Sequence, residues 1–251
     1  MLISARVVII VLLISVAPSV QTGEITQEDA KESGRTGLNP EAAKSVVKQL
    51  SEYEYQIGEI RINALERTLS FPGEINMTEG NVEYMVTTAF GKTHESVFIT
   101  DTLPKYLHVG ILLISRSGEI PPPLNLTARE LPKGYPVKIE VEWMDNGRAR
   151  RSPIFRFIKK TTYPNRISTH PWIYTSSRLR EKLLLADRDG SIVSIMEDLN
   201  SLVNISHRDR IYDDIWVVNT KIGNLVLGDP VKLIVSLGPV KKSEKIKTET
   251  K

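Results

Sequence analysis

The chain contains no cysteine. Disulfides, thiolate zinc sites, iron–sulfur clusters and a cysteine nucleophile are all excluded at once. Histidine is scarce as well, with four in 251 residues, so any imidazole site must draw on His94, His108, His170 and His207. An excess of one sign of charge is also missing. Lys and Arg number 33 against 30 Asp and Glu, a net +3. The last eleven residues, Lys241–Lys251, carry five lysines and two glutamates and account for all of it. The remainder is neutral, which argues against a broad nucleic-acid face. A chain of this length buries a real core without staples.

Long hydrophobic runs are absent except at the start. Arg6 precedes the apolar run Val7–Val16, and Ala17-Pro18-Ser19 follows it. A short positive region, about ten apolar residues and small residues at the end form the pattern of a secretory signal peptide. A span needs about 20 apolar residues, and Pro18, Ser19 and Gln21 stop this run short. The expectation is a signal peptide over 1–19, cleaved after Ser19 or within Val20–Gly23, and an exported chain, periplasmic or extracellular in a bacterium, with no stable membrane span after processing. Retention as an uncleaved anchor is the competing reading. Asn-x-Ser/Thr occurs at Asn76, Asn125 and Asn204, and chance matches are the favoured explanation.

Residues 20–38 are polar and without apolar period, which predicts a flexible linker. Asn39-Pro40 is a helix start, and Ala43, Val46, Val47 and Leu50 give a stripe over Pro40–Glu52. Strand-like runs follow at Ile57–Asn63 and Thr68–Ile75, the second broken around Pro72-Gly73. Val82–Thr88 and Thr93–Ile99 read as extended runs joined near Gly91, before a helix over Leu103–Ile114 capped by Thr102. Val137–Met144 ends at Asn146-Gly147, with Ala149–Arg151 and a helical turn at Ile154–Ile158 after it. Leu183–Ala186 and Ser191–Ile195 flank Asp189-Gly190, with a helix near Met196–Val203. Asn-Gly and Asp-Gly between apolar runs are hairpin signals. Strands at Asp214–Asn219 and Val231–Ser236 close the pattern. These elements predict one α+β domain over 39–238, a largely antiparallel β-sheet with short helices in ββα-like units. Gly118–Tyr135, which carries Pro121-Pro122-Pro123, reads as a stiff excursion, and 239–251 as a disordered lysine-rich tail.

The block Lys92-Thr93-His94-Glu95-Ser96 invites two motif readings and satisfies neither. A P-loop needs glycine at position 86, where Val86 stands, and the zinc-protease helix needs a second histidine at 98, where Phe98 stands. Read as a strand, the block points His94 and Glu95 to opposite faces. His94 and Ser96 share a face but stand too far apart for nucleophile activation. A looser constellation remains, in which the helix folds His108 back toward His94 with Asp101 between them. Two imidazoles and a carboxylate suit a divalent metal such as zinc. Against it stands the reading that both histidines are structural. The candidates on the catalytic side are His94, Glu95, Ser96, Asp101 and His108, and for a metal His94, His108 and Asp101. A Lys92–Glu83 pair is expected across the hairpin. Arg148, Arg150 and Arg151 form a basic cluster that could meet an anionic polymer, with no aromatic interleaving to suggest nucleic acid. Trp143, Trp172 and Trp216 are expected as core anchors.

Several spaced blocks resemble the YdjY-domain family of bacterial envelope proteins. They are Glu83-Tyr84, Gly91-Lys92-Thr93-His94-Glu95-Ser96, Asp101, Leu107-His108, Val141-Glu142-Trp143 and Gly190-Ser191-Ile192. Asp198, Leu202, Asn204, Trp216, Asn219 and Gly228-Asp229-Pro230-Val231 continue the likeness, which covers Gly58 to Ser236. The resemblance implies export and a shared fold, and it supplies no reaction. The leading expectation is an exported, non-catalytic envelope binding or structural module that needs no cofactor. The alternative is a metal-dependent hydrolase built on His94, His108 and an acidic residue.

Overall fold

Apolar and polar residues alternate most cleanly in Tyr135–Asp145. Val137, Ile139, Val141 and Trp143 are buried there, while Lys138 and Met144 are exposed. That strand and its two long neighbours carry the rest of the molecule. The computed structural model describes residues 46–115, 132, 134–161, 172–181, 183–212 and 214–238. The expected signal peptide, linker, tail, His170, Asn125 and most of the proline-rich excursion lie outside the described residues.

In chain order the strands are β1 (Val47–Gln49), β2 (Glu54–Ile57), β3 (Ile60–Asn63), β4 (Thr68–Ile75), β5 (Tyr84–Thr88) and β6 (Ser96–Thr100). Helix α1 (Pro104–Ile114) comes next, then β7 (Tyr135–Asp145), β8 (Arg148–Pro153), β9 (Ile158–Lys160), β10 (Trp172–Tyr174), β11 (Leu179–Arg180) and β12 (Leu183–Leu184). Helix α2 (Leu185–Asp189) precedes β13 (Ser191–Ser194), β14 (Val203–Ile205), β15 (Trp216–Val218) and β16 (Pro230–Leu237).

Eight strands close into a barrel in the order β4, β16, β7, β10, β14, β13, β5, β6 and back to β4. The β13–β14 and β5–β6 pairings are parallel and the others antiparallel. This corrects the expected α+β sheet with ββα-like units: the protein is mostly β, and α1 and α2 are its only α-helices among the described residues. Three local signals were misread. Asp189-Gly190 is a helix stop, with Gly190 left-handed at φ 68° and its N–H on the Ala186 carbonyl. Met196–Leu202 is a connecting loop. Val47–Gln49, expected in a helix, pairs as β1 with β2.

The parallel pairs have a consequence for the chain between their strands. Adjacent parallel strands require the chain to travel back along the outside before the second begins. Residues 89–95 and 195–202 do so without a crossover helix, and polar side chains satisfy the backbone of both return loops. Asn76 Nδ2 donates to the carbonyls of Thr93 and Ser96 at 2.6 and 2.7 Å. Thr175 Oγ1 donates to Ser201 and Leu202, Ser177 Oγ to Asn200, and Ser194 Oγ to Met196. Asn204 is buried and donates to Thr175 Oγ1. Two of the three Asn-x-Ser/Thr asparagines are thus committed to the fold.

Pro72-Gly73 does not break β4. On one edge β4 pairs with β3 up to Ser70 and with β6 from Glu74, so Pro72, which has no N–H, stands where that edge changes partner. Gly73 admits the Ile99 carbonyl of β6, which a Cβ would meet at 2.9 Å. On the other flank β7 splits likewise, pairing β10 through Tyr135–Val137 and β8 through Glu140–Asp145. The Asn146-Gly147 hairpin forms as expected, with φ of 49° and 76°.

Among the described residues, side chains fill the barrel interior. Leu107 and Ile111 of α1 enter it at the lower end, where β7 begins, against Leu69, Val193 and Val235. Phe157 fills the upper part, edge-on to Trp143 and Phe98 with centroids at 5.0 Å in both cases. The gap left among the apolar side chains is about 10 Å³ and has no polar lining, so an ordered water would find no partner there. All three tryptophans are buried.

Helix α1 closes the lower end and is tied to the barrel at both ends and in its middle. Thr102 makes no cap; the cap position is Leu103, with Pro104 at the first helical position. The Lys105 N–H instead donates to Asp187 Oδ1 of α2 at 3.2 Å, and Lys105 Nζ lies 3.7 Å from Asp187 Oδ2. At the other end buried Arg67 donates to the Ile114 carbonyl at 3.1 Å and to the Gly238 carbonyl at 2.8 Å. An acid at the start and a guanidinium at the end both complement the helix dipole.

Candidate functional site

The sequence candidates divide between the two ends of the barrel. β6 runs from the upper end at Ser96 to the lower end at Thr100. His94 and Glu95 precede it in a short 3-10 turn, Thr93–Glu95, and Asp101 and His108 follow it. The expected constellation of His94, His108 and Asp101 therefore does not assemble. Among the described residues no group of three His, Asp or Glu side chains is placed to hold a metal ion.

His108 faces inward from α1. Its Nδ1 shares a hydrogen bond with the Tyr174 hydroxyl, and the two rings stack at 6.1 Å. Burial holds the imidazole down to a pKa of about 4, and burial likewise lifts the Tyr174 phenol well above its ordinary range. Ser96 is fully buried, and its hydroxyl donates to the Phe98 carbonyl at 2.8 Å. Asp101 is exposed.

The rest of the block joins a charged rim at the upper end. His94 is mostly exposed, and the 3-10 turn lets its Nε2 lie 3.6 Å from Glu95 Oε1, where a regular strand would have pointed the two apart. Lys92 Nζ stands 3.4 Å from Glu83 Oε2 and 3.8 Å from Glu95 Oε2. The expected Lys92–Glu83 pair thus exists, made by a return loop between parallel strands rather than across a hairpin. Burial, and then a carboxyl–carboxylate hydrogen bond with Glu95 and its charge, raise the Glu83 pKa, against the opposing pull of Lys92.

From this pair the rim continues along the upper edge. The Glu83 carbonyl accepts from the N–H groups of Ile195 and Met196. The Tyr84 hydroxyl donates to Asp198 Oδ2 at 3.2 Å, and Lys92 Nζ lies 5.3 Å from the Tyr84 ring centroid. Arg210 is buried and lies 3.4 Å from Glu197 Oε2. Lys160 pairs with Asp209 and sits over the Trp216 ring at 5.1 Å. His207 Nδ1 accepts the Asp209 N–H at 3.0 Å, and burial, helped by the Lys160 charge, lowers its pKa. His207 thus gains partners that the sequence reading did not give it. The available signal was the His-x-Asp spacing, in which a side chain accepts the N–H two residues on.

The basic cluster on β8 is largely neutralised in place. Arg151 bonds Glu140 at 2.8 Å and Glu142 at 3.3 Å, while Lys138 reaches Glu140 at 2.9 Å and Lys232 reaches Glu142. Arg150 Nε lies 3.3 Å from Asp145 Oδ2. Burial disfavours the Glu140 carboxylate, yet the hydrogen bonds from Arg151 and Lys138 outweigh it and lower its pKa. Arg148 is exposed at the hairpin tip.

No family model, no curated protein and no solved structure matches this chain. No helix among the described residues is long and apolar enough to cross a membrane.

Proposed function

We propose that this protein is an exported, non-catalytic binding or structural module of the bacterial envelope, of YdjY type, whose contacts run through the charged upper rim of its barrel. The observation that carries this reading is the filled interior. Small-molecule sites are normally concave chambers of several hundred cubic ångströms, and the gap between α1 and the barrel's inner face is about 10 Å³. On the rim, Lys92 stands within ion-pair distance of both Glu83 and Glu95, and His94 lies beside Glu95 in a partly exposed cluster suited to surface contacts. The signal-like leader and the spaced blocks around Glu83-Tyr84 and Gly91–Ser96 support export and the grouping.

The hydrolase alternative is not carried forward, because no observation favours it. Expression of the full chain in a Gram-negative host, fractionation, mass measurement and metal analysis test the proposal. Expected are a periplasmic product beginning at Val20, no stoichiometric zinc and no turnover of ester, peptide or phosphoester probes. Stoichiometric zinc that disappears in His94→Ala or His108→Ala would overturn the reading.

A further inference from the structure

We infer that Asn146 is a deamidation site, at which the protein converts one turn amide to a carboxylate over its lifetime. The chemistry needs the amide nitrogen of the next residue to attack the asparagine Cγ. The attacking nitrogen loses its proton, ammonia leaves with the side-chain nitrogen, and a five-membered succinimide forms. Water then opens the ring at either carbonyl and gives aspartate or isoaspartate. Three features of the hairpin favour the attack. The residue after Asn146 is Gly147, and a Cβ built there would meet nothing within 4 Å, so nothing crowds the approach. Both residues are exposed. The two-residue loop is closed by the Asp145–Arg148 pair, and among the described backbone hydrogen bonds none uses the Gly147 N–H.

The Asp189-Gly190 dipeptide has the same chemistry available and the opposite surroundings. The Gly190 N–H is bonded to the Ala186 carbonyl. The Asp189 carboxylate is held by Arg188 Nη2 at 2.9 Å and by Asn200 Nδ2 at 2.8 Å. Gly190 packs against Gly91 and Thr88 closely enough to leave no room for a Cβ. Sequence makes the two sites alike, and the fold separates them.

The conversion acts on a structural anchor. Asn146 Nδ2 donates to Asp145 Oδ1 at 3.0 Å. The Asp145 carboxylate is buried, takes Arg150, and accepts the Asn224 N–H at 3.2 Å, which pins the loop leading into β16. A carboxylate at 146 replaces a donor with a like charge beside Asp145 and competes for Arg150. Isoaspartate also adds a backbone atom to a loop that closes with two residues.

The test incubates the folded full-length protein in warm, mildly alkaline buffer beside a urea-unfolded sample. Tryptic peptides are then read by mass and by labelling with an isoaspartyl methyltransferase. The peptide Ile139–Arg148 is expected to gain one mass unit and isoaspartate in the folded protein, while Asp189 forms isoaspartate only in urea. Amide exchange at Asn224 is expected to quicken as conversion proceeds. Gly147→Ala should suppress the conversion. Should that variant fail to fold, Asn146→Gln serves, since its longer side chain would have to close a six-membered ring. An intact Asn146 in folded protein while the unfolded chain converts would overturn the inference. So would isoaspartate at Asp189 appearing as fast as at Asn146 in the folded protein.

Discussion

Acidification from pH 8 to pH 4 should cost the fold about 3 kcal/mol through a single imidazole. The perturbation is protonation of His108. Its ordinary pKa of 6.5 falls to about 4 in the folded protein because α1 carries the ring into the barrel wall. The unfolded chain therefore binds a proton in the window between those values while the folded chain does not. Stability rises with pH wherever the unfolded state holds more protons, so here it is lost as pH falls from 6.5 to 4. Each pKa unit is worth about 1.4 kcal/mol, which gives about 2 kcal/mol lost by pH 5 and about 3 kcal/mol by pH 4. The Tyr174 phenol hydrogen-bonded to the ring stays un-ionised throughout the window. Against a typical total of about 5–15 kcal/mol, the loss is a substantial share. Other groups titrate over the same range, so the measurement is the difference between wild type and His108→Gln, which keeps an acceptor for Tyr174 and cannot titrate. Urea unfolding followed by tryptophan fluorescence at pH 8, 6, 5 and 4 should show the two stability curves converging or crossing toward acid. Parallel curves would refute the argument, as would a ring titrating near 6.5 by NMR.

Four further outcomes follow from particular contacts. Arg67→Ala strands the Ile114 carbonyl and leaves the Gly238 carbonyl with the Tyr135 hydroxyl as donor, and should cost about 2–3 kcal/mol, with α1 amides losing exchange protection first. Asp187→Ala should cost only about 1 kcal/mol, because burial raises the Asp187 pKa and already penalises its carboxylate; urea midpoints of the two variants should rank in that order. Glu95→Gln should raise stability at pH 8 more than at pH 5. Glu83 has a raised folded pKa, so its contribution is present below its unfolded pKa and lost as pH rises through the folded one; an equal gain at both pH values would be inconsistent with a shared proton. Gly73→Ala should cost about 1–3 kcal/mol by pressing a methyl on the Ile99 carbonyl where β6 closes the barrel, and an unchanged midpoint would show that the junction is loose.

Strand existence was legible in the sequence where one face is buried and the other wet. β4, β7 and β16 were read nearly to their ends, and the Asn146-Gly147 hairpin was read outright. In each case the determinant is local, a period of two or a residue pair that tolerates positive φ. The site was less legible. His94, Glu95 and Lys92 do join one charged cluster with Glu83, but the 3-10 turn that brings His94 to Glu95 leaves no mark in an alternating pattern. His207, Asp209 and Lys160 meet because β9 pairs with β15, a register that no local window contains.

Closure of the barrel was the least legible feature, for a physical reason. Gly91 looks like a hairpin glycine, and a hairpin would have made β5–β6 antiparallel, while Gly190, which suggests a hairpin before β13, ends α2 instead. What excludes hairpins is the length and polarity of the segments after β5 and β13, which are long enough to run back outside the wall. Their carbonyls then need donors, and the donors come from elsewhere in the chain. Asn76 serves the first loop from the segment after β4, and Thr175 and Ser177 serve the second from beyond β10. A buried Ser, Thr or Asn with no apolar role is the sequence trace of such a loop, because burying an amide or hydroxyl unpaired costs about 1–3 kcal/mol. Asn204 and Asn76 read by motif are glycan acceptors. Read by this requirement, they are the groups that let two pairs of neighbouring strands run the same way.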